Sequence, residues 1–226
     1  MIDERGVAAI VLAAGDSRRY GKSRNKNFEL INGKEVLAYS LNVFDKNGYV
    51  DDIIVTIKND EVYLLEKLLQ ELNLSKNVYV VIGGNTRQES VYNAISDTNR
   101  DIVIIHDGAR PLIRDSYVSN CIEEMRYFKG VTVGVKSKDT VKITNDNNLV
   151  VNTTNRNNTW IVQTPQCFDR EILLSMHNEY KNDLVTDDCS LLEKGGYDIK
   201  MIDSDYTNIK ITTHEDLDIV KKLVKK

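Results

Sequence analysis

The chain has 226 residues, 41% of them hydrophobic and 28% charged, which suits one α/β domain with a sizeable core and excludes a disordered or fibrous protein. A formal net charge of −4 argues against nucleic acid as a partner, so any anion site must be a local concentration of positive charge. Cys121, Cys167 and Cys189 are odd in number and widely spaced, with no CxxC pair, which speaks against a disulfide framework or a zinc site and for reduced thiols in the cytoplasm.

In chain order, the first apolar run is Val7–Ala13. Asp3 and Glu4 stand where a signal peptide would carry positive charge, and no run approaches the roughly 20 apolar residues of a membrane span. Val7–Ala13, Ile53–Ile57, Val78–Ile82 and Ile102–His106 are nearly continuous apolar stretches, the pattern of strands buried on both faces. Val36–Asp45, Asp60–Leu72 and Gln88–Ser96 lie between them with apolar residues at helical spacing, and Asp60 is expected to cap the second helix. This alternation predicts right-handed crossovers and a mostly parallel twisted sheet with helices on both faces. Ligands of such sheets gather at the carboxyl ends of the strands, here just after residues 13, 57, 82 and 106.

Beyond Val131 the pattern changes. Thr140–Ile143 and Leu149–Thr153 flank Asn145-Asp146-Asn147-Asn148, which predicts a β-hairpin arm at about 136–158 with polar faces that need a partner. Helices follow at Asp169–Lys181, Asp187–Lys194 and His214–Val224, around a strand near Asp198–Asp203, with Gly195-Gly196 as a helix stop. Only two prolines occur, Pro111 and Pro165, and no linker-like stretch, so residues 1–226 read as one domain with an arm.

The strongest local signal follows the first strand. Ala13, Ala14 and Gly15 are small enough for backbone N–H groups to approach a ligand, and Arg18, Arg19, Lys22, Arg24 and Lys26 follow with no acid among residues 18–26. In an acidic chain this cluster suits a triphosphate. A Walker-type kinase or NTPase loop is the rival reading, from Gly15 to Gly21-Lys22-Ser23 with Ile102–Asp107 as the magnesium-binding strand. Five residues separate the two glycines where that loop needs four, and no GxGxxG pattern is present.

Further motifs occur in order: Gly83-Gly84-Asn85-Thr86-Arg87-Gln88-Glu89-Ser90-Val91, His106-Asp107-Gly108-Ala109-Arg110-Pro111, Asp139-Thr140-Val141-Lys142, Asn155-Arg156-Asn157, Gln163-Thr164-Pro165-Gln166, Thr186-Asp187-Asp188 and Asn208-Ile209-Lys210-Ile211-Thr212. Together with the loop they resemble the 2-C-methyl-D-erythritol 4-phosphate cytidylyltransferase family over roughly Val7 to Leu217. The related ribitol 5-phosphate cytidylyltransferases of teichoic acid synthesis share most of these motifs and remain the alternative, with an inactive binding module a third reading.

The resemblance implies a Rossmann-like nucleotidyltransferase fold, and transfer of CMP from CTP to a polyol phosphate with Mg²⁺. It implies Arg19 and Lys26 as catalytic cations, and Ala13, Ala14, Gly15, Gly83, Asn85, Ser90 and Asp107 around CTP, Asp107 being a candidate metal ligand. It implies Arg110, Thr140, Arg156, Thr164, Thr186 and Lys210 around the acceptor, with Thr140 and Arg156 reaching the neighbouring subunit's site in a homodimer. His106 is read as a strand-end packing residue. Three departures stand out: Ser17 where Gly is usual, Asn25 where Pro is common and Asn27 where Gln is usual, changes expected to loosen the loop.

Overall fold

The four apolar runs lie side by side in one sheet of a computed structural model, which describes residues 2–16, 20–21, 25–183 and 185–224. In chain order the elements are β1 (Val7–Leu12), β2 (Leu30–Ile31), β3 (Lys34–Glu35), α1 (Val36–Lys46), β4 (Asp52–Ile57), α2 (Val62–Leu72), β5 (Asn77–Ile82), α3 (Arg87–Ser96) and β6 (Ile102–Asp107). They continue with α4 (Asp115–Glu124), β7 (Gly130–Lys136), β8 (Lys142–Thr144), β9 (Val150–Thr153), β10 (Trp160–Asp169), α5 (Arg170–Glu179), α6 (Cys189–Lys194), β11 (Ile199–Asp203) and α7 (His214–Leu223).

The seven-stranded sheet has the order β11-β7-β10-β6-β1-β4-β5. β1 pairs in parallel with β4 and β6, β4 with β5, and β11 with β7, while β10 alone runs antiparallel to both its neighbours. Alternate side chains of β1 explain the continuous apolar run. Ala9 and Val11 join Leu37 and Phe44 of α1, Leu65 of α2 and Ile122 of α4 on one face. Ala8 and Ile10 join Val91 of α3, Leu173 of α5 and Leu192 of α6 on the other. Each large aliphatic or aromatic side chain so buried contributes about 1.5–3 kcal/mol. A third cluster seats α7 through Leu217 and Val220 against Tyr20, Ile31 and Val36. Among the described residues no helix is long and apolar enough to cross a membrane. All three cysteines are buried.

Several elements differ from the sequence expectation. Val78–Ile82 is not buried on both faces: β5 is an edge strand, and Tyr79 and Ile82 stay about half exposed. Asp60 is not a helix cap; it sits in a 3₁₀ turn, Asn59–Glu61, and α2 starts at Val62 with Glu61 in the cap position and no side-chain cap bond. Asp169 caps α5 from outside, and α6 begins only at Cys189. Asn208–Thr212 forms no strand; it is an irregular segment held by the Ile211 N–H on the Ala109 carbonyl, 2.8 Å.

β8 and β9 form the hairpin as a two-stranded sheet of their own. Its turn is held by Asn145 Oδ1, which accepts from the N–H groups of Asn147 and Leu149. Its faces are not polar: Ile143, Leu149, Val150 and Val151 are all exposed. Such a pair of strands is marginal by itself in water. β10 then leads from the arm straight back into the middle of the sheet.

Candidate active site

The carboxyl ends of β1, β4, β5 and β6 open onto a cavity of about 870 Å³, whose lining includes Ala14, Gly15, Lys26, Gly83, Asn85, Ser90, Asp107 and Lys210. A second cavity of about 460 Å³ lies alongside, lined among others by Arg110, Gln163, Thr164, Gln166 and Thr186. Arg87, Asp107 and Lys210 belong to both walls.

On the first cavity's floor, the turn after β5 touches the loop after β1. A Cβ on Gly83 would fall 2.3 Å from the Ala14 Cβ and 3.0 Å from Ser90 Oγ, so only glycine allows this approach. The Gly84 N–H donates to Ser90 Oγ at 3.1 Å, and that hydroxyl donates to the Thr86 carbonyl at 2.9 Å. Thr86 in turn caps α3 by accepting from the Glu89 N–H. Lys58 reaches Asp16 at 2.7 Å on the cavity's rim.

Asp107, at the end of β6, is the electrostatic centre. Lys210 Nζ lies 2.8 Å from its Oδ2, Arg110 Nε 3.6 Å from Oδ2, and Arg87 Nε 3.8 Å from Oδ1. Burial would raise its pKa, but Lys210, Arg87 and Arg110 outweigh burial and hold the carboxyl well below the usual range. Arg110 also donates to the Asn208 carbonyl at 2.7 Å, which ties down the segment that carries Lys210. Arg87 donates to Asp188 at 2.6 Å, and Asp188 lies 3.3 Å from His177 Nε2. Asp188 is 1% exposed; burial would raise its pKa, and Arg87 and His177 bring it below the ordinary value instead.

His106 lies beneath this cluster and is fully buried. Its Nδ1 is 3.0 Å from Thr164 Oγ1, and its Nε2 is 3.2 Å from both Ser40 Oγ and the Arg110 carbonyl. Burial pushes its pKa down to about 3, so the ring is a neutral hydrogen-bonding hub and no proton shuttle near pH 7. Thr164 Oγ1 also accepts the Asp107 N–H at 3.0 Å.

The remaining sequence-predicted residues divide clearly. Ala13 does not line either cavity; it is buried under the loop. Arg19 lies outside the described residues, as do Ser17, Arg18, Lys22 and Arg24. Thr140 and Arg156 are exposed on the arm, away from both cavities of their own chain. Among the described residues no group of three or more His, Cys, Asp or Glu side chains converges as metal ligands. Asp107 is a single carboxylate ringed by three cations, so these residues do not fit a divalent cation held by the protein alone. Sequence reasoning assigned no role to Arg87. A signal existed: a cation in the first turn of α3 opposes the helix dipole unless an anion faces it.

The family model of 2-C-methyl-D-erythritol 4-phosphate cytidylyltransferase matches residues 7–226. The enzyme of that name from Caldanaerobacter subterraneus is 40% identical over 97% of this chain and 99% of its own length. That from Lachnoclostridium phytofermentans is 42% identical over 93% of each chain. A crystal structure of 4-diphosphocytidyl-2C-methyl-D-erythritol synthase from Anaerococcus prevotii superposes with a TM-score of 0.89 at 30% identity, covering 98% of this chain and 99% of that one. A Francisella tularensis 2-C-methyl-D-erythritol 4-phosphate cytidylyltransferase gives 0.79 at 31%, covering 97% and 100%. With its fold, cavities and nearly full-length likeness in agreement, the chain belongs to the 2-C-methyl-D-erythritol 4-phosphate cytidylyltransferase family.

Proposed function

We propose that the chain transfers CMP from CTP to 2-C-methyl-D-erythritol 4-phosphate, giving 4-diphosphocytidyl-2-C-methyl-D-erythritol and pyrophosphate, in the cytoplasm. The observation that supports this most directly is the wall of Arg87, Asp107 and Lys210 shared by two cavities. The larger has room for a nucleoside triphosphate and the smaller for a polyol phosphate, so two reactants would meet across three charged side chains. The family match favours methylerythritol phosphate over ribitol phosphate as the acceptor, and leaves the Walker-type kinase reading without support.

In this reading an oxygen of the acceptor phosphate attacks the α-phosphorus of CTP. The bond from that phosphorus to the oxygen bridging to the β-phosphate breaks, and pyrophosphate leaves with the electron pair. No covalent enzyme intermediate is needed, so the protein contributes positioning and cations aimed at the charge that builds on the phosphoryl oxygens. Arg19 and Lys26 supply those cations. Among the described residues no cluster of metal ligands converges, so Mg²⁺ would be held by the triphosphate of CTP, where it would offset the charge of the departing pyrophosphate. Gly83, Asn85 and Ser90 read the base: the Ser90 hydroxyl, with its proton on Thr86, can accept from the amino group that cytosine has and uracil lacks. Lys210 and Arg156 hold the acceptor phosphate, Thr186 faces the acceptor, and Arg110 and Thr164 act by fixing Lys210 and Asp107. Arg156 and Thr140 come from the second subunit of a homodimer joined through the apolar arm.

The test is pyrophosphate release with CTP, magnesium and each acceptor in turn. Release with methylerythritol phosphate and none with ribitol phosphate is expected; the reverse preference overturns the acceptor, and release of a nucleoside diphosphate overturns the reaction. For the shared site, mixing Arg156→Ala with Arg19→Ala protein should restore activity, because one site per heterodimer is then intact. Sedimentation as a fully active monomer would remove the second subunit from the mechanism.

A further inference from the structure

Lys26 is flanked by two asparagines that are each only 3% exposed, although Lys26 and Asn27 line the larger cavity. Buried amides are costly unless they are hydrogen-bonded, and these two are bonded to each other and to the sheet. Asn25 Nδ2 donates to the Ala13 carbonyl at 2.7 Å and to Glu61 Oε2 at 2.8 Å. Its Oδ1 accepts from the Asn27 N–H at 3.0 Å and from Asn27 Nδ2 at 3.0 Å. Both donors and both lone pairs of the Asn25 side chain are thereby used. Asn27 Nδ2 adds a second, longer contact to the same Ala13 carbonyl, 3.3 Å.

That carbonyl is a firm anchor. Ala13 extends the β1–β4 ladder, its N–H donating to the Thr56 carbonyl at 2.9 Å. Lys26 opens the 3₁₀ turn Lys26–Phe28, for which Asn25 is the cap, and Asn25 takes φ −65°, the angle to which a proline ring would lock it. Two side-chain amides therefore do here what a ring does by covalent constraint, and they add a tether to the sheet that a ring lacks. Among the described residues Asn27 Oδ1 has no hydrogen-bond partner; it lies against the Gly108 turn, where a Cβ would lie 3.1 Å from it.

We infer that Asn25 and Asn27 are positioning residues: their joint grip on the Ala13 carbonyl sets the backbone from which Lys26 reaches the nucleotide cavity. A lysine ammonium rides on four rotatable bonds, so where its Cα is held decides how much of its time it spends at one point. This rests on the cytidylyl-transfer reading, in which Lys26 stabilises the reacting phosphate. It also reverses the expectation that the two asparagines loosen the loop.

The test is a double-mutant cycle on kcat and KM with Asn25→Ala, Asn27→Ala, Lys26→Ala and the two combinations with Lys26→Ala. A displaced cation costs on the order of 10–100-fold, so each asparagine variant should lose that much in kcat, with the acceptor KM unchanged. In the Lys26→Ala background neither should cause a further loss. Amide exchange at residues 25–28 should quicken in both variants while the melting temperature stays near that of the parent. If an alanine variant fails to fold, Asn27→Leu keeps the volume without the amide and is expected to show the same kcat loss. Parent-like kcat in these variants, or losses that multiply with that of Lys26→Ala, would overturn the inference. Should the parent itself release no pyrophosphate, the reaction assignment falls, and exchange at 25–28 still decides the grip: unchanged exchange would sink it.

Discussion

Lys210 holds its ammonium 2.8 Å from Oδ2 of Asp107, so the cation assigned to the acceptor phosphate already has an anion on it. A dianionic acceptor must share or displace that carboxylate. Asp107→Asn removes the counter-anion of Lys210, Arg87 and Arg110 together. Allowing for water at Lys210, the variant should lose about 2 kcal/mol of stability. Inorganic phosphate should raise its melting temperature more than that of the parent, because an added anion replaces the missing one. A melting temperature equally responsive to phosphate in both proteins would show that the three cations relax into solvent instead.

Arg87 spans two acids, Asp188 at 2.6 Å and Asp107 at 3.8 Å, with different nitrogens of one guanidinium. A lysine has one point of charge and cannot do both. Arg87→Lys should keep the fold and lose 10-fold or more in kcat/KM for the acceptor. Arg87→Ala should also destabilise by about 3 kcal/mol, since among the described residues Asp188 is left buried with His177 as its one side-chain partner. Urea titration alongside steady-state rates separates the two effects; equal stability losses in both variants would refute this division.

Gly83→Ala adds one methyl group where Ala14 leaves no room. The loop after β1 must shift, and the KM for CTP should rise about 10-fold or more, with a smaller change in acceptor KM. A parent-like CTP KM would mean that the turn can yield without disturbing the loop.

Acid should weaken the fold through His106. Its folded pKa, pushed to about 3 by burial, lies below the unfolded value near 6.5. Between those limits the unfolded chain binds a proton that the folded chain refuses. The stabilising contribution is therefore complete above pH 6.5 and falls by about 1.4 kcal/mol per pH unit as pH drops towards 3. Asp107 and Asp188, with lowered pKa values, add losses of the same sign only below the ordinary carboxylate range. Urea unfolding at pH 7 and pH 5 checks this, and His106→Gln should flatten the difference.

The sequence made the centre of the fold legible because β1, β4 and β6 are covered on both faces, and a strand so placed is mostly apolar, with polar residues confined to its ends. It misled at Val78–Ile82, whose composition is just as apolar but whose place is the edge; composition reports β-propensity and leaves strand order unspecified. Asp60 has the chemistry of a cap, yet the chain turns once more in a 3₁₀ helix before α2 starts, a difference of two residues that propensity does not resolve. At the site, Gly83, Asp107 and Lys210 were legible through motif order. Arg87 was not, because its value comes from Asp188, a partner far along the chain that the packing of α5 against both α3 and α6 brings near. Asn25 and Asn27 were read as weak substitutes, since side-chain amides that bond to one another leave no periodic trace.

The three buried cysteines have a practical consequence. Burial raises the pKa of each thiol, which keeps the reactive thiolate scarce as well as hidden. A single thiol introduced on the exposed arm, by Ile143→Cys or Arg156→Cys, should thus react with a maleimide dye or spin label far faster than any native cysteine. Distances between two such labels can then be read in the otherwise unaltered chain, and they would report directly on whether, and how closely, two arms meet.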